Sequence, residues 1–323
     1  MTIQRFSFAE FTVQLQSHPE VWSPLSAIEL LKVLMGQGYL QDLDGVNVLD
    51  FGTGSGIVGI VCGLLGAQDV TLSDYCSMAA VIAVQNAQLN GLTNVTGVQS
   101  DRFAQLGHQH YDLIISNPPV QPWLYTNLSD QEHRARVEAW NEAGADGRLV
   151  LDSLLCDAHH HLQPGGRLIT STSSRHGWRK TQRLLEQHWP GHWQAFYRSE
   201  HPILPDYHGP YLQSWLEMQT HDLDLRVYQK DEQGRPFAVY TNPQGETQLL
   251  IGADCSLNTP PICWQQREGR WQPLLTEPQA ASAHPKVQLA LSPTEAEQLI
   301  TASKSGTWYY TYHLLEAIKP ERD

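Results

Sequence analysis

Basic side chains, cysteine pairs and long apolar runs are all scarce in this sequence. Its 323 residues include 21 Lys and Arg against 34 Asp and Glu, a formal net charge of -13. This charge disfavours long nucleic acids as partners, because a polyanion is repelled. The five cysteines form no C-x-x-C pair, so we expect no bound metal and no redox couple. No run of about 18 apolar residues and no basic-then-apolar leader is present, which predicts a cytoplasmic protein without a membrane span.

Apolar runs alternate with helical patterns between about residue 45 and residue 200. This alternation is typical of a parallel sheet covered by helices, so we predict an α/β fold. The predicted strands span residues 46–51, 70–73, 95–99, 111–116 and 167–172. The sequence Pro164-Gly165-Gly166 is predicted to end a helix and to turn the chain into the last of these strands.

The pattern changes after about residue 220 to short alternating segments separated by turn signals, such as Asp231-Glu232-Gln233-Gly234. We therefore predict three parts: a helical cover over residues 1–44, an α/β domain over residues 45–220 and a small β-rich extension over residues 221–323. A terminal helix in the extension is expected to begin near Ser292-Pro293, because serine caps helices and proline suits their first position.

A glycine-dense loop follows the first predicted strand of the α/β domain. Gly52, Gly54 and Gly56 alternate with other residues directly before a helical pattern. Glycine is needed at such a place because the backbone turns tightly and because a bound ligand approaches closer than a Cβ would permit. The loop is therefore predicted to hold a nucleotide-like cofactor.

Two cofactors fit this loop. Residues 54–59 match the dinucleotide pattern G-x-G-x-x-G, and Asp74 follows Gly54 by 20 residues, so NAD is one reading. Asp50, however, stands at the mouth of the turn, where a carboxylate would repel a pyrophosphate but would suit the cationic methionine end of S-adenosylmethionine. We therefore favour S-adenosylmethionine and keep an NAD(P)-binding oxidoreductase as an alternative.

The strand over residues 111–116 leads into the stiff sequence Asn117-Pro118-Pro119 at the edge of the sheet where ligands bind. An amine or amide nitrogen reacts only when its lone pair points at the electrophile. The side-chain oxygen of Asn117 and the carbonyl of Pro118 could accept its two hydrogens and so orient it. These three residues are the predicted catalytic group, and they indicate methylation of a nitrogen without a strong base.

The glycine loop and this motif resemble those of class I S-adenosylmethionine-dependent methyltransferases with an N-P-P-Y signature. That group includes nucleobase-amine enzymes and the HemK/PrmC glutamine methyltransferases. Residues 21–24, 139–140, 144–148 and 164–166 are also similar to the HemK/PrmC branch, so the resemblance covers about residues 20–175. It implies a Rossmann-like, seven-stranded methyltransferase sheet.

The resemblance also implies roles for single residues. The loop glycines would line the methionine portion, Asp74 would bind both ribose hydroxyls and Asp101 would face the adenine amine. Arg102 or Phe103 would lie beside the adenine ring. The predicted cofactor residues are Asp50, Gly52, Thr53, Gly54, Gly56, Asp74, Tyr75, Asp101, Arg102, Phe103 and Asn117.

The substrate side departs from the signature at position 120. Val120 replaces an aromatic residue that stacks on the planar target group in the family. Either Trp123 takes over the stacking or the substrate is not a flat base or amide. Tyr207 and His208 come after the predicted strands, in a segment expected at the active-site edge of the sheet, and are further candidates for contact with substrate, as part of a lid.

These features together predict an S-adenosylmethionine-dependent N-methyltransferase that acts on an amine or amide nitrogen of a protein, peptide or small molecule. A base methyltransferase of ribosomal or transfer RNA shares the motif and remains an alternative, which a basic patch beside Asn117 would favour. A non-catalytic protein that retained the fold is the third alternative. The intact loop glycines together with Asn117 argue against it.

Overall fold

The computed structural model describes residues 2–21, 25–123, 141–222, 224–241, 244–252, 262–267, 270–274 and 291–321. The helices are α1 (Leu25–Gly36), α2 (Ile57–Leu64), α3 (Ser77–Leu89), α4 (Leu149–Asp157), α5 (Trp178–His188), α6 (Pro205–His221) and α7 (Pro293–Ser303). The strands are β1 (Ile3–Ser7), β2 (Thr12–Gln16), β3 (Asn47–Phe51), β4 (Asp69–Asp74), β5 (Val95–Gln99), β6 (Tyr111–Ser116), β7 (Leu162–Ser173), β8 (Trp193–Pro202), β9 (Gln229–Lys230), β10 (Pro236–Thr241), β11 (Thr247–Ile251), β12 (Ile262–Arg267), β13 (Arg270–Leu274) and β14 (Tyr309–Ile318).

Seven strands form one sheet in the order β5-β4-β3-β6-β7-β14-β8, which confirms the predicted Rossmann-like sheet. The pairs among β3, β4, β5, β6 and β7 are parallel. The central strands are buried on both faces, and Val48, Leu49, Leu113 and Ile114 expose none of their surface. Strands buried on both faces read as continuous apolar runs, which is why these strands could be predicted from the sequence.

Strand β7 differs from the prediction because it begins at Leu162, five residues before the predicted start. The sequence Pro164-Gly165-Gly166 lies inside this strand and forms an irregularity where the pairing with β6 shifts in register. The N–H of Gly165 donates to the carbonyl of Lys319 at 2.9 Å, and the N–H of Lys319 donates to the carbonyl of Gly166 at 2.9 Å. Pairing with a distant segment therefore overrides the local turn signal.

The described residues belong to two compact units. The first lies within residues 1–172, 181–197 and 313–323, and the second within residues 173–180 and 198–312. The second unit contains an antiparallel sheet in the order β13-β12-β11-β10-β9, and α7 packs on β10 and β13. This division differs from the three predicted parts, because the C-terminal strand β14 joins the seven-stranded sheet. No helix in the described parts of the chain is long and apolar enough to cross a lipid bilayer.

The N-terminal segment, predicted as a helical cover, begins with a β-hairpin. Strands β1 and β2 pair antiparallel, with Ile3 opposite Gln16, and α1 follows them. The side chains of Val13 and Leu15 on β2 are buried. Contacts of β2 with α2 and α3 place the hairpin on the first unit. An isolated hairpin of five-residue strands is only marginally stable, so its local sequence pattern gives a weak signal.

Gly59 allows α2 to pack closely on β4, which yields a test of the fold. A Cβ at this position would collide with Leu72 and would lie 3.0 Å from the Cγ1 atom of Val70. We therefore expect Gly59→Ala to lower the free energy of unfolding by about 1–3 kcal/mol, measured by urea denaturation. Gly36→Ala at the end of α1 is the control, because no atom of the described residues lies within 4 Å of its Cβ position. Equal stability of both variants would contradict this account of the packing.

Candidate functional site

The glycine-rich loop, residues 52–56, lies across the carboxyl ends of β3 and β4. The N–H of Gly52 donates to the carbonyl of Ser73 at 2.9 Å, and the N–H of Gly54 donates to Oδ2 of Asp74 at 2.9 Å. Gly52 and Gly54 have φ angles of 73° and 53°, and a Cβ on either would meet no atom of the described residues within 4 Å. The backbone therefore needs glycine and leaves open space in which a ligand can approach.

Asp74 ends β4 and holds the loop with one carboxylate oxygen. Its Oδ2 accepts from Gly54, and its Oδ1 accepts from the N–H of Cys76 at 2.9 Å. Burial raises the pKa of Asp74, while the N–H groups of Gly54, Cys76 and Tyr75 oppose this rise. An ionised carboxylate has about four acceptor positions, so Asp74 can still accept from a ligand hydroxyl beside these three N–H groups. The neighbouring Tyr75 exposes 48% of its surface.

Asp50 lies beneath the loop, whereas the sequence suggested a carboxylate open at its mouth. Only 1% of its surface is exposed, and its Oδ2 accepts from the Thr53 hydroxyl at 2.7 Å and from the Gly59 N–H at 2.8 Å. Burial raises the pKa of Asp50 to about 6, and these two hydrogen bonds oppose the rise. The carboxylate therefore ties the loop to α2, and its charge can act on a bound cation only through space.

The loop after β5 lies beside Asp74, because the N–H of Ser100 donates to the Asp74 carbonyl at 2.8 Å. Asp101 and Arg102 form an ion pair at 3.1 Å, and both side chains are about one-third exposed or more. Arg102 has a φ of 55°, the one positive φ of a non-glycine residue in the described part of the chain. Such strained backbone persists only where its surroundings hold it, and it is commonest at ligand sites.

Phe103, which was one of two candidates with Arg102 for a place beside an adenine ring, packs on two other rings. Its ring centroid is 4.5 Å from that of Phe51 and 4.6 Å from that of His161, with which it stacks at 10°. Only 8% of Phe103 is exposed. The side chain therefore fills the core under the edge of the sheet, and Arg102 is the exposed neighbour of Asp101 at this loop.

The end of β6 is joined directly to the start of the glycine-rich loop. The hydroxyl of Ser116 donates to the carbonyl of Phe51 at 2.7 Å, and Asp50 pairs with Ile115 in the parallel register of β3 and β6. Gly52 directly follows Phe51 at the end of β3, and Asn117 directly follows Ser116 at the end of β6. The two loops that the sequence singled out therefore leave the sheet side by side.

The side chain of Asn117 is held by two serines that the sequence analysis did not identify. Its Nδ2 donates to Oγ of Ser26 in the first turn of α1 at 2.9 Å, and its Oδ1 accepts from Oγ of Ser171 on β7 at 3.4 Å. Asn117 is half-buried and Pro118 is buried. The two hydroxyls fix the plane of the amide, while the second lone pair of Oδ1 can accept a further hydrogen.

Backbone hydrogen bonds to residues 141 and 144 support the chain that follows Asn117-Pro118-Pro119. The N–H of Gln121 donates to the Asn141 carbonyl at 2.8 Å, and the N–H of Trp123 donates to the Gly144 carbonyl at 3.0 Å. Gly147 packs so closely on the Val120 carbonyl that any Cβ would collide with it. Val120 and Trp123 are both half-buried. Of the segments that carried the resemblance, residues 22–24 and 139–140 lie outside the described residues.

His208 and Tyr207 lie in the first turn of α6, in the second unit, whereas the other predicted site residues belong to the first unit. Nδ1 of His208 accepts from the N–H of Leu204 at 3.1 Å, and only 7% of the residue is exposed. Burial, with the positive charge of Arg175 and the nearby His201, lowers the pKa of His208 to about 4. A neutral, buried ring that caps a helix leaves little surface for contact with a substrate.

The chain is similar to known methyltransferases. The family model described as methyltransferase small domain matches residues 14–131, which include the glycine-rich loop, Asp74, Asp101 and Asn117. A relative from Methanocaldococcus jannaschii, named "Putative protein N5-glutamine methyltransferase", is 31% identical over 175 residues, which are 54% of this chain and 83% of the relative.

Two bacterial relatives match a shorter part. A ribosomal protein uL3 glutamine methyltransferase of Francisella tularensis is 31% identical over 139 residues, 42% of this chain and 44% of that protein. A release factor glutamine methyltransferase of Xylella fastidiosa is 35% identical over 144 residues, 43% of this chain and 50% of that protein. The chain thus spans about half the length of these two relatives. Among solved structures, the 16S rRNA N2 G1207 methyltransferase of T. thermophilus is similar with a TM-score of 0.44 and 20% sequence identity. The match covers 60% of this chain and 47% of that enzyme's chain.

The buried Asp50 predicts how stability depends on pH. Because its pKa is raised from 3.8 to about 6, the folded protein holds this proton more tightly than the unfolded chain. Ionisation therefore costs stability as the pH rises between these two values. We expect the stability of Asp50→Asn relative to the wild type to rise by up to about 3 kcal/mol between about pH 4 and pH 7, measured by urea denaturation. The exposed Asp69→Asn controls for the lost charge, and a gain independent of pH would contradict the assignment.

Proposed function

Because this chain belongs to the HemK/PrmC family of class I S-adenosylmethionine-dependent methyltransferases, we propose that it methylates the side-chain amide nitrogen of a glutamine in a protein. The relatives from F. tularensis and X. fastidiosa are glutamine methyltransferases of ribosomal protein uL3 and of a release factor. The observation that carries the proposal is the 2.7 Å hydrogen bond from Ser116 to Phe51. It sets the predicted donor loop and the predicted acceptor motif side by side.

The residues at this edge fit S-adenosylmethionine, which when bound supplies an electrophilic methyl group on a sulfonium. The open backbone of Gly52 and Gly54 would line the methionine portion, and Asp74 would accept hydrogen bonds from the ribose hydroxyls. Asp101 and Arg102 would lie next to the adenine. The raised pKa of Asp50 fits a cationic ligand, because a positive charge nearby favours the ionised form of the carboxylate.

Orientation of the amide is the task of the motif. Oδ1 of Asn117 and the carbonyl of Pro118 would accept the two hydrogens of the glutamine amide. Ser26 and Ser171 keep the plane of the Asn117 side chain fixed while this happens. An amide nitrogen is a weak nucleophile, so alignment of its lone pair with the methyl group is the main contribution that the protein can make. The nitrogen gains the methyl group and loses one proton to water.

Contact with the flat face of the amide is assigned to Trp123. Val120 offers no aromatic surface at the position after the two prolines, whereas Trp123 is half-buried three residues later. Its backbone is fixed by the hydrogen bond to Gly144. An aromatic ring held by a rigid backbone would restrict the orientation of the target group at little entropic cost.

The proposal predicts that Asn117→Ala separates methyl transfer from cofactor binding. We expect the rate of transfer to fall by about 100-fold or more, because the amide is no longer aligned. The dissociation constant for S-adenosylhomocysteine should change by less than about twofold, because the glycine-rich loop is untouched. Transfer is measured with methyl-labelled S-adenosylmethionine and cell extract separated into protein, RNA and small-molecule fractions. Binding is measured by titration calorimetry.

Asn94→Ala is the matched control, because Asn94 binds the carbonyls of Ala67 and Gln68 at the opposite end of the sheet. It should transfer label as the wild type does. Full activity of Asn117→Ala would contradict the assigned role, and label in RNA alone would contradict a protein substrate. Stabilisation by NADH in place of S-adenosylhomocysteine would contradict the cofactor.

A further inference from the structure

Two asparagines, one on α3 and one at its C-terminal cap, bind the backbone of strand β2: Asn86 is fully buried and Asn90 is half-buried. Oδ1 of Asn90 accepts from the N–H of Gln14 at 2.8 Å, and its Nδ2 donates to the Gln14 carbonyl at 2.7 Å. Oδ1 of Asn86 accepts from the N–H of Gln16 at 2.7 Å. The two side chains are four residues apart and point in the same direction, so their amide groups bind the edge of β2 as the backbone of a neighbouring strand would.

Asn86 differs from Asn90 in that it also reaches the glycine-rich loop. Its Nδ2 donates to the carbonyl of Ser55 at 2.9 Å, and the residue is fully buried. Asn90 instead directs its Nδ2 to the carbonyl of Asn86 at 2.7 Å, besides Gln14. A single buried amide therefore joins the hairpin to the loop: its oxygen accepts from Gln16, and its nitrogen donates to the Ser55 carbonyl and, at 3.4 Å, to the Gln16 carbonyl.

We propose that the N-terminal hairpin is part of the cofactor site and that Asn86 is a positioning residue for the glycine-rich loop. Ser55 lies between Gly54 and Gly56, which have φ angles of 53° and 87°. A loop with so many glycines loses much conformational entropy when a ligand orders it. The hydrogen bond from Asn86 fixes the Ser55 carbonyl beforehand, so a ligand binds a loop that is already ordered.

The link must act in both directions. If docking of the hairpin strengthens binding at the loop, binding at the loop strengthens docking of the hairpin by the same free energy. The N–H of Gln16 reports on docking, because it donates to Oδ1 of Asn86. Its hydrogen exchange in the folded protein should therefore slow when a ligand occupies the loop.

The inference rests on the proposed function only for the choice of ligand, and S-adenosylhomocysteine is the probe. We expect Asn86→Ala to weaken its binding by about tenfold, since one hydrogen bond that orders the loop is lost. Asn90→Ala also removes a contact with β2 but leaves the hydrogen bond from Asn86 to Ser55 in place, so its dissociation constant should rise clearly less, by about threefold at most. Both are measured by calorimetry well below the melting temperatures.

A second pair of variants changes β2 and leaves α3 intact. It tests the same inference if Asn86→Ala does not fold. Gln16→Pro removes the N–H that binds Asn86, and Gln14→Pro removes the N–H that binds Asn90. Gln16→Pro should weaken binding of S-adenosylhomocysteine more than Gln14→Pro does, because only Gln16 binds the residue that holds the loop. In the wild type the ligand should slow hydrogen exchange in the hairpin, and in Asn86→Ala this effect should be lost. The slowing is a readout that a purely structural asparagine would not produce.

The outcomes separate the two proposals. If the wild type binds S-adenosylhomocysteine but Asn86→Ala and Asn90→Ala bind it with equal affinity, the role of Asn86 is overturned and the proposed function stands. The same holds if ligand leaves hydrogen exchange of the hairpin unchanged. No binding of S-adenosylhomocysteine to the wild type would overturn the proposed function, and this inference with it.

Discussion

Parallel pairing of β3 with β4 and β6 is the constraint on which the site depends. Strands that run in the same direction end at the same edge, so the polar groups of their loops must bind one another or water. Here Ser116 binds Phe51, and Gly54 binds Asp74. These lateral bonds give the loops one shared geometry, and a shift of one strand would therefore separate the cofactor loop from Asn117.

A buried carboxylate at the same edge of the sheet lowers the stability of the folded protein. Asp50 is buried almost completely under the loop, and burial raises its pKa to about 6. An asparagine could accept the same bonds from Thr53 and Gly59 without carrying a charge. A retained carboxylate is then understandable only if the negative charge has a use, and a cation held in the open space over the glycines would provide one. Proteins often keep such destabilising groups where they bind or react.

The sequence predicted the parts of the structure that depend on local signals. Strand β6 was predicted with its observed bounds because its buried apolar run is continuous, and β5, which has no fully buried residue, was predicted from its place in the alternation of strands and helices. The glycine-rich loop was predicted because few residues suit positive φ. Contacts between distant segments left no such signal. The serines that hold Asn117 come from α1 and β7, and neither has a distinctive local pattern. The packing of Phe103 on Phe51 and His161 likewise joins segments that are far apart in the sequence.

The contacts of the N-terminal segment are the part of the structure that the sequence predicted least well. The segment was predicted as a helical cover, yet it reaches both halves of the proposed site. Gln16 binds Asn86, which holds the glycine-rich loop, and Ser26 binds Asn117 directly. Ten residues of chain thus connect the element that would hold the donor with the residue that would orient the acceptor. We therefore expect a rearrangement of this segment to affect the glycine-rich loop and Asn117 together.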